Sequence, residues 1–308
     1  TSRYPRESYI LTDKLSPNFF QTEADIRPYF ESMLEACGVE YFDFFLLHSL
    51  TAGNYSHYTG NRAFEIAAEL KAEGKVRHVG ISFHDTAETL EKILSEQPSI
   101  EVVQLQFNYL DYEDTHVQSR LCYEVCVKYG KPVIVMEPVR GGSLVNLPEA
   151  GLEVIKDLGE YSPAGYAIRY AASFDNIFMV LSGMSNMEQM EDNIKSMKDF
   201  TPFTEEEFKA VYSVADIIRS IPTIPCTSCK YCVDGDRCPM HINIPGVFNS
   251  ENKARRFNTE DARGHYGWMT SKGGKPTDCI ECGMCEEICP QQLPIRRLLK
   301  EIGERFEA

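Results

Sequence analysis

Eight of the eleven cysteines in this 308-residue chain fall into two near-copies of one pattern close to its C-terminal end. The first copy, CxxCxxCxxxxxCP, begins at Cys226, and the second, CxxCxxCxxxCP, begins at Cys279. Three thiolates separated by two-residue gaps can hold one iron–sulfur cube, and a more distant cysteine followed by proline can reach a second cube. The pattern therefore predicts two 4Fe–4S clusters, which carry electrons one at a time.

On this logic each cluster takes three ligands from one motif and its fourth ligand from the other motif. The predicted ligands of the first cluster are Cys226, Cys229, Cys232 and Cys289, and those of the second are Cys279, Cys282, Cys285 and Cys238. An uncrossed arrangement stays open, because about 40 residues separate the motifs. Two structural zinc sites are the other alternative, since paired CxxC motifs also bind zinc. Each motif here offers a run of three cysteines rather than two pairs, which favours clusters.

The composition predicts a cytoplasmic protein without nucleic-acid or membrane partners. A formal net charge of −15 and a pI near 5.0 would repel polyanions. The chain starts without a signal-peptide pattern, and its longest apolar run is far shorter than the roughly 20 residues of a spanning helix. The remaining cysteines, Cys37, Cys122 and Cys126, have no ligand spacing and are expected to pack as small hydrophobic residues.

The rest of the chain alternates apolar runs with helical patterns, which is typical of an α/β fold. The six runs are residues 9–12, 41–48, 76–82, 101–107, 132–138 and 176–183. Thr22 with Asp25 marks a helix start, and Gly38 and Gly74 mark helix ends. A doubly wound sheet and a (β/α)8 barrel both fit this alternation. No GxGxxG follows a strand, and polar residues follow several strand ends, so the sequence favours the barrel.

Only six strand–helix units are visible, not eight. Because each unit takes about 35 residues, we expect about 70 residues with the first two strands to precede Thr1 in a longer natural protein. The prolines after residue 220 and the change in composition predict a domain boundary. We assign residues 1–221 to the barrel and residues 222–308 to a mainly helical, ferredoxin-like domain with two clusters.

The strand segments resemble, in order, the third to eighth strands of an aldo/keto reductase. The motifs that carry the resemblance are YILTDK, YFDFFLLHS, GKVRHVGISFH, VVQLQFNYLD, VIVMEPVRGGSL and VLSGMSNMEQMEDN. The tail resembles the iron–sulfur branch of that family. The resemblance implies hydride transfer from NAD(P)H to a carbonyl compound, with Lys14 and His48 as two of four catalytic residues. The other two, an Asp and a Tyr, would belong to the segment before Thr1.

The resemblance also implies contacts to the nicotinamide cofactor. Ser82 and Gln104 match the residues that hold the carboxamide, and Met136 stands where an aromatic ring stacks on the nicotinamide. Arg140 and Gly141 match the loop around the pyrophosphate. The residues that match the adenosine end are Gly183, Met184, Gln189 and Asn193. NADP and NAD both stay open, because Gly183 and Gln189 replace the cations that usually grip a 2′-phosphate.

Several of these residues also have a purely structural interpretation. His48 at the end of an apolar strand fits a core histidine, and His84 with Asp85 is expected to cap a helix. Met184, Met187, Met190 and Met197 are expected to face the core. Arg296, Arg297 and Lys300 are expected to form a solvated helix face.

A nicotinamide gives up two electrons at once, whereas a cluster accepts one, so the two halves of the chain do not exchange electrons directly without a mediator. Three interpretations follow. In the first, the barrel reduces a carbonyl compound with NAD(P)H, and the clusters either exchange electrons with a ferredoxin or flavoprotein partner or only stabilise the fold. Alternatively, the clusters drive reduction of the substrate, or the chain is an electron-transfer module whose barrel serves for docking.

Overall fold

The computed structural model describes residues 3–257 and 261–307. Its contacts divide the chain into two compact units. One unit comprises residues 1–141 and 164–208, and the other comprises residues 142–163 and 209–308. The division assigns residues 142–163 and 209–221 to the unit that contains the cysteine motifs, although the sequence places them in the barrel.

The first unit is built on six parallel strands that pair in sequence order. The strands are β1 (Thr12–Leu15), β2 (Phe42–Leu50), β3 (Val76–Phe83), β4 (Val102–Gln106), β5 (Val133–Met136) and β6 (Ile177–Val180). Its helices are α1 (Glu23–Cys37), α2 (Tyr55–Gly60), α3 (Ala63–Ala72), α4 (Ala87–Glu96), α5 (Ser119–Lys128), α7 (Pro163–Ala172) and α8 (Met187–Met197). The predicted alternation of strands and helices is confirmed.

The sheet curls strongly, as a barrel wall does. The rings of Phe44 on β2 and Phe178 on β6 lie 5.7 Å apart, whereas four strand spacings in a flat sheet would separate them by roughly 19 Å. Phe44, Leu46, Val102 and Ile134 form a buried apolar cluster. A side chain at Gly80 would place its Cβ 2.5 Å from Val102, so only glycine fits there.

The local signals at Thr22, Gly38 and Gly74 placed one helix start and two helix ends correctly. Thr22 and Asp25 form a reciprocal capping box at α1, and Gly38 ends that helix with a left-handed φ of 65°. Gly74, with a φ of 79°, follows α3 as predicted. These positions confirm the predicted starts and ends of the helices.

Two predictions were wrong. The first strand is not residues 9–12 but Thr12–Leu15, because the residues before it are held by Arg6, which donates to the Tyr9 carbonyl and to Asp43. The methionines of the 184–197 segment do not all face the core: Met184, Met187 and Met190 are exposed. Their spacing is helical, but the buried side of α8 is not the side that carries them.

The second unit is mainly helical. Its helices are α6 (Glu149–Leu158), α9 (Glu205–Ser220, whose first residues belong to the other unit), α10 (Ile244–Arg256), α11 (Asp261–Thr270), α12 (Met284–Glu287) and α13 (Ile295–Phe306). The tail has an apolar core of its own, which begins at Ile224 and includes Phe248 and Leu299. Across the described part of the chain, no helix is long and apolar enough to cross a membrane.

Candidate active site and cysteine cavities

Lys14 and His48 lie at the carboxyl ends of two neighbouring parallel strands. Lys14 pairs in register with Leu46, and the Ser16 hydroxyl lies 2.6 Å from His48 Nδ1. The buried Tyr58 hydroxyl lies 3.1 Å from the Leu15 carbonyl and 2.6 Å from the His48 carbonyl, so its proton is directed at both strand ends. These contacts hold the two predicted catalytic residues side by side.

The electrostatics of this site favour uncharged histidines. Burial lowers the pKa of Lys14, and the Asp13 carboxylate opposes that shift. Burial also lowers the pKa of His48, and the nearby Lys14 ammonium lowers it further. The pKa of His84 is lowered by burial and then by His48 and Lys14. All three groups therefore lie close enough to affect one another's charge.

The next two strands continue the site. Ser82 on β3 pairs with Gln104 on β4, and the Ser82 hydroxyl lies 3.5 Å from His84 Nε2. Gln104 Nε2 donates to the Met136 sulfur at 3.2 Å. Gln104 Oε1 is buried and has no hydrogen-bond partner in the described residues. A buried acceptor without a partner is costly, which makes this oxygen suited to a ligand N–H.

A cavity of about 520 Å³ opens beyond the ends of β3 and β4. Its polar lining includes His84, Gln106 and His116. Its apolar lining includes Phe83, Leu105 and Cys122 of α5. Side chains alternate along a strand, so Phe83 and Leu105 point away from Ser82 and Gln104, and the cavity lies on the helix side of the sheet.

The remaining predicted cofactor residues form two separate groups. Arg140, at a left-handed φ of 52°, donates from Nε to the buried Asp111 carboxylate at 2.9 Å, and Gly141 follows it with a φ of 59°. Part of the Arg140 charge is thus already compensated. The other group comprises Gly183 and Met184, which are both exposed, Gln189, whose Oε1 accepts from the Ser185 amide, and Asn193, which donates to Ser182.

In the second unit, the eight motif cysteines line two cavities of about 330 Å³ each. One cavity is lined by Cys226, Cys229, Cys232 and Cys289, and the other by Cys238, Cys279, Cys282 and Cys285. Each cavity thus takes three cysteines from one motif and the fourth from the other. Their walls are otherwise largely apolar, and Ile244 contributes to both. Four thiols around an apolar hollow suit a buried sulfur-ligated cluster.

The backbone of the two cysteine loops is similar. Ser228 and Lys230 have left-handed φ values of 54° and 67°, and Glu281 and Gly283, at the equivalent positions, have values of 55° and 80°. Alternating left-handed residues turn successive N–H groups into a concave anion site, an arrangement found around iron–sulfur clusters. The loops therefore suit a cluster with negatively charged thiolates.

Burial, together with neighbouring thiols, raises the pKa of Cys232 to about 12. Burial and the Glu286 carboxylate raise the pKa of Cys285 to about 11. Ionisation of these thiols therefore needs a bound cationic centre. No group of three or more His, Cys, Asp or Glu side chains within residues 3–257 and 261–307 is placed to hold a single metal ion.

Two residues of the strand-end site, Ser16 and Tyr58, were missed from the sequence. They carry no motif, and only the three-dimensional pairing of the strands reveals their contacts. The sequence places His84 among the polar residues that follow strand ends, with a helix cap as the competing interpretation. The cap interpretation was wrong, because the cap of α4 is Thr86, whose hydroxyl accepts from the Thr89 amide.

Structural comparisons place this fold among known enzymes. An aldo-keto reductase from Bacillus halodurans in its holo form is 23% identical with a TM-score of 0.57, covering 69% of this chain and 74% of that one. An aldo/keto reductase from Klebsiella pneumoniae in complex with NADP and acetate is 16% identical, with a TM-score of 0.53 and coverage of 69% and 71%. Aldose reductase from Giardia lamblia is 17% identical, with a TM-score of 0.54 and coverage of 70% and 75%. A search of curated protein sequences found no significant match.

Family models cover most of the chain. Residues 1–216 match the model described as the aldo/keto reductase family, and residues 225–293 match the 4Fe-4S dicluster domain. The first match alone spans more than half of the sequence and agrees with the curled parallel sheet. The chain therefore belongs to the aldo/keto reductase family and is an iron–sulfur oxidoreductase with a 4Fe–4S dicluster domain.

Proposed function

We propose that this enzyme uses NAD(P)H to reduce a small carbonyl compound at the Lys14–His48 site. The observation that carries the proposal is the series of polar residues at the ends of successive strands. Lys14, His48 and His84 influence one another's charge, His84 lies against Ser82, Ser82 pairs with Gln104, and Gln104 bonds to Met136. The similar Klebsiella pneumoniae structure contains NADP, which supports a nicotinamide cofactor for this chain as well.

The buried Gln104 Oε1, which has no hydrogen-bond partner in the described residues, fits a nicotinamide carboxamide. It would accept an N–H from the carboxamide, while the Ser82 hydroxyl would hold the other side of that group. Met136 would pack against the ring. A bound NAD(P)H would supply the hydride.

Lys14 and His48 act on the carbonyl oxygen. A neutral His48 donates a hydrogen bond that orients this oxygen, and the Lys14 ammonium stabilises the negative charge that develops on it when the hydride reaches the carbon. The proton that completes the alcohol would come from the Tyr that the family resemblance implies. Lys14 Nζ has no hydrogen-bond or ion-pair partner that the described residues supply, so its charge is available to the substrate.

We further propose that the eight cysteines hold two 4Fe–4S clusters with crossed ligands. The grouping of the thiols around two cavities supports this assignment, as do the paired left-handed residues in the loops. Clusters of this kind exchange single electrons. The partner in that exchange would be a ferredoxin or a flavoprotein, because a flavin can pass electrons singly or in pairs.

Anaerobic kinetics test the carbonyl-reductase proposal. The purified enzyme should oxidise NADH or NADPH when an aldehyde or ketone is added. Lys14→Met and His48→Gln should each lower kcat by about 100-fold or more, as removal of a polar group at the reacting oxygen does. His78→Gln, which changes an exposed histidine on β3, is the control and should keep full activity.

The same assay can reject the proposal. If no nicotinamide binds and substrate is turned over only by dithionite-reduced clusters, the barrel is driven by the clusters and not by NAD(P)H. Full activity in both the Lys14 and the His48 variants would reject the site assignment.

Metal analysis and site-directed variants test the clusters. Iron and acid-labile sulfide should each be about eight per chain. With crossed ligands, Cys289→Ser should alter the EPR signal of the cluster that Cys226→Ser alters, and Cys238→Ser should alter the other. Stoichiometric zinc in place of iron would contradict the cluster assignment, and the opposite pairing of EPR effects would contradict the crossed ligands.

A further inference from the structure

We infer that Ser16 is a positioning residue that fixes the ring tautomer of His48, so that its Nε2 carries the proton presented to the substrate. The inference rests on the proposed carbonyl reduction, and it assigns a role to a residue outside the predicted catalytic set. Its basis is the 2.6 Å contact between the Ser16 hydroxyl and His48 Nδ1.

The position of Ser16 in the chain makes this contact unusual. Ser16 follows β1 directly and precedes a short 3-10 helix at Pro17–Phe19. Serine at such a position commonly accepts a hydrogen bond from a helix amide. Here the Ser16 side chain makes no capping hydrogen bond. Its hydroxyl is used on His48 instead.

The direction of the bond follows from the count of donors and acceptors. A neutral imidazole has one N–H and one bare nitrogen. If Nδ1 carried the proton, it would donate to Ser16, and the Ser16 O–H would have no acceptor that the described residues provide. If Ser16 donates to Nδ1, one bond satisfies both groups, and the ring proton lies on Nε2. In the second arrangement only the Nε2–H lacks a partner among the described residues, and that is the group that the substrate oxygen would accept from.

The surroundings hold this geometry in place. Tyr58 contacts the carbonyls of both Leu15 and His48, so the chain segments that carry the serine and the histidine cannot move apart independently. Nothing in the described parts of the chain bonds to His48 Nε2, and the Lys14 ammonium is close by. Nε2–H and Lys14 can thus both reach one carbonyl oxygen.

Nitrogen-15 NMR of histidine-labelled enzyme tests the inference directly. The His48 signals, assigned by their loss in His48→Gln, should show the Nε2–H tautomer in the wild type and a mixture of tautomers in Ser16→Ala. Steady-state kinetics should show a fall in kcat of about twofold or more for Ser16→Ala, in proportion to the loss of the Nε2–H tautomer that NMR measures, with KM changed less than about twofold. Ser16→Thr keeps the hydroxyl and should restore both the tautomer and kcat.

Ser32→Ala is the matched control, because the exposed Ser32 hydroxyl on α1 donates to the Tyr29 carbonyl and to no other group that the described residues supply. It should change neither measurement. An Nδ1–H tautomer in the wild type would overturn the inference, and so would an unchanged tautomer in a folded Ser16→Ala enzyme. The NMR result does not depend on the reaction. A Ser16-dependent tautomer in an enzyme that reduces no carbonyl would therefore reject the proposed function and keep the positioning role.

Discussion

At the residue scale, the Lys14–His48 pair makes a prediction about pH. Because burial and Lys14 lower the pKa of His48 below its ordinary value of 6.5, His48 stays neutral as the pH falls below 6.5. Carbonyl reduction that needs neutral His48 should persist there and decline only as the pH passes through the lowered pKa. In Lys14→Met the cation is lost, so an NMR titration should show the pKa of His48 rising toward 6.5.

His265 provides the control for that titration. Its pKa is lowered by burial and by Lys253, so Lys14→Met should leave it unchanged. An unchanged His48 titration in the same variant would show that the two groups are not electrostatically coupled.

The residues of the site differ in how far the sequence could predict them. Lys14 and His48 were found because each belongs to a motif at the end of an apolar strand. Ser16 was not, because a hydroxyl near a proline has many structural uses and only the 2.6 Å contact distinguishes this one. The buried, unpartnered oxygen of Gln104 likewise appears only when burial and hydrogen bonds are known.

At the element scale, the backbone of the segment after Cys238 packs closely against Gly273 and Gly274, where there is no room for a side chain. A Cβ at Gly274 would lie 2.2 Å from the Met240 carbonyl oxygen, and one at Gly273 would lie 2.2 Å from the His241 carbonyl oxygen. Met240 and Ile242 both line the second cysteine cavity. Gly274→Ala must therefore displace a wall of that cavity.

We predict that Gly274→Ala lowers the iron content from about eight toward about four per chain, with loss of the EPR signal of the second cluster. Gly267→Ala on α11 is the control. Apart from neighbouring residues and the backbone of the helix itself, no described atom lies within 4 Å of the added Cβ. Alanine in a helix stabilises by about 0.5–1 kcal/mol relative to glycine. A Gly274→Ala enzyme with full iron and an unchanged melting temperature would contradict the role of this close approach.

The ends of helices could be predicted where a few neighbouring residues determine them. The capping box at Thr22 and the left-handed glycines at Gly38 and Gly74 fixed helix ends from a few residues. β1 was misplaced because it is the polar segment Thr-Asp-Lys-Leu, and its pairing with β2 overrides the apolar pattern that precedes it. The exposed side of α8 was also misjudged, since helical spacing shows that a face exists but not which neighbour covers it.

At the scale of the whole molecule, the domain boundary can be located by asking which helices need the clusters to stay folded. The apolar core of the tail starts at Ile224 and is packed against the motif cysteines. α6 and α9 lie close together, since a Cβ added at Gly151 on α6 would lie 3.4 Å from the Val214 side chain on α9. We therefore propose that the metal-dependent part begins near residue 222, as the change in composition indicates.

Removal of the clusters should separate these parts in a hydrogen-exchange experiment. After oxidation and anaerobic chelation of the iron, amides of α10 and α13 should lose protection, because two cavities of about 330 Å³ lined by thiols cannot hold the tail folded without their contents. Amides of β2 to β5 and of α9 should keep theirs. If α6 and α9 lose protection together with the tail, the boundary lies instead where the contact division places it, at residues 142–163 and 209.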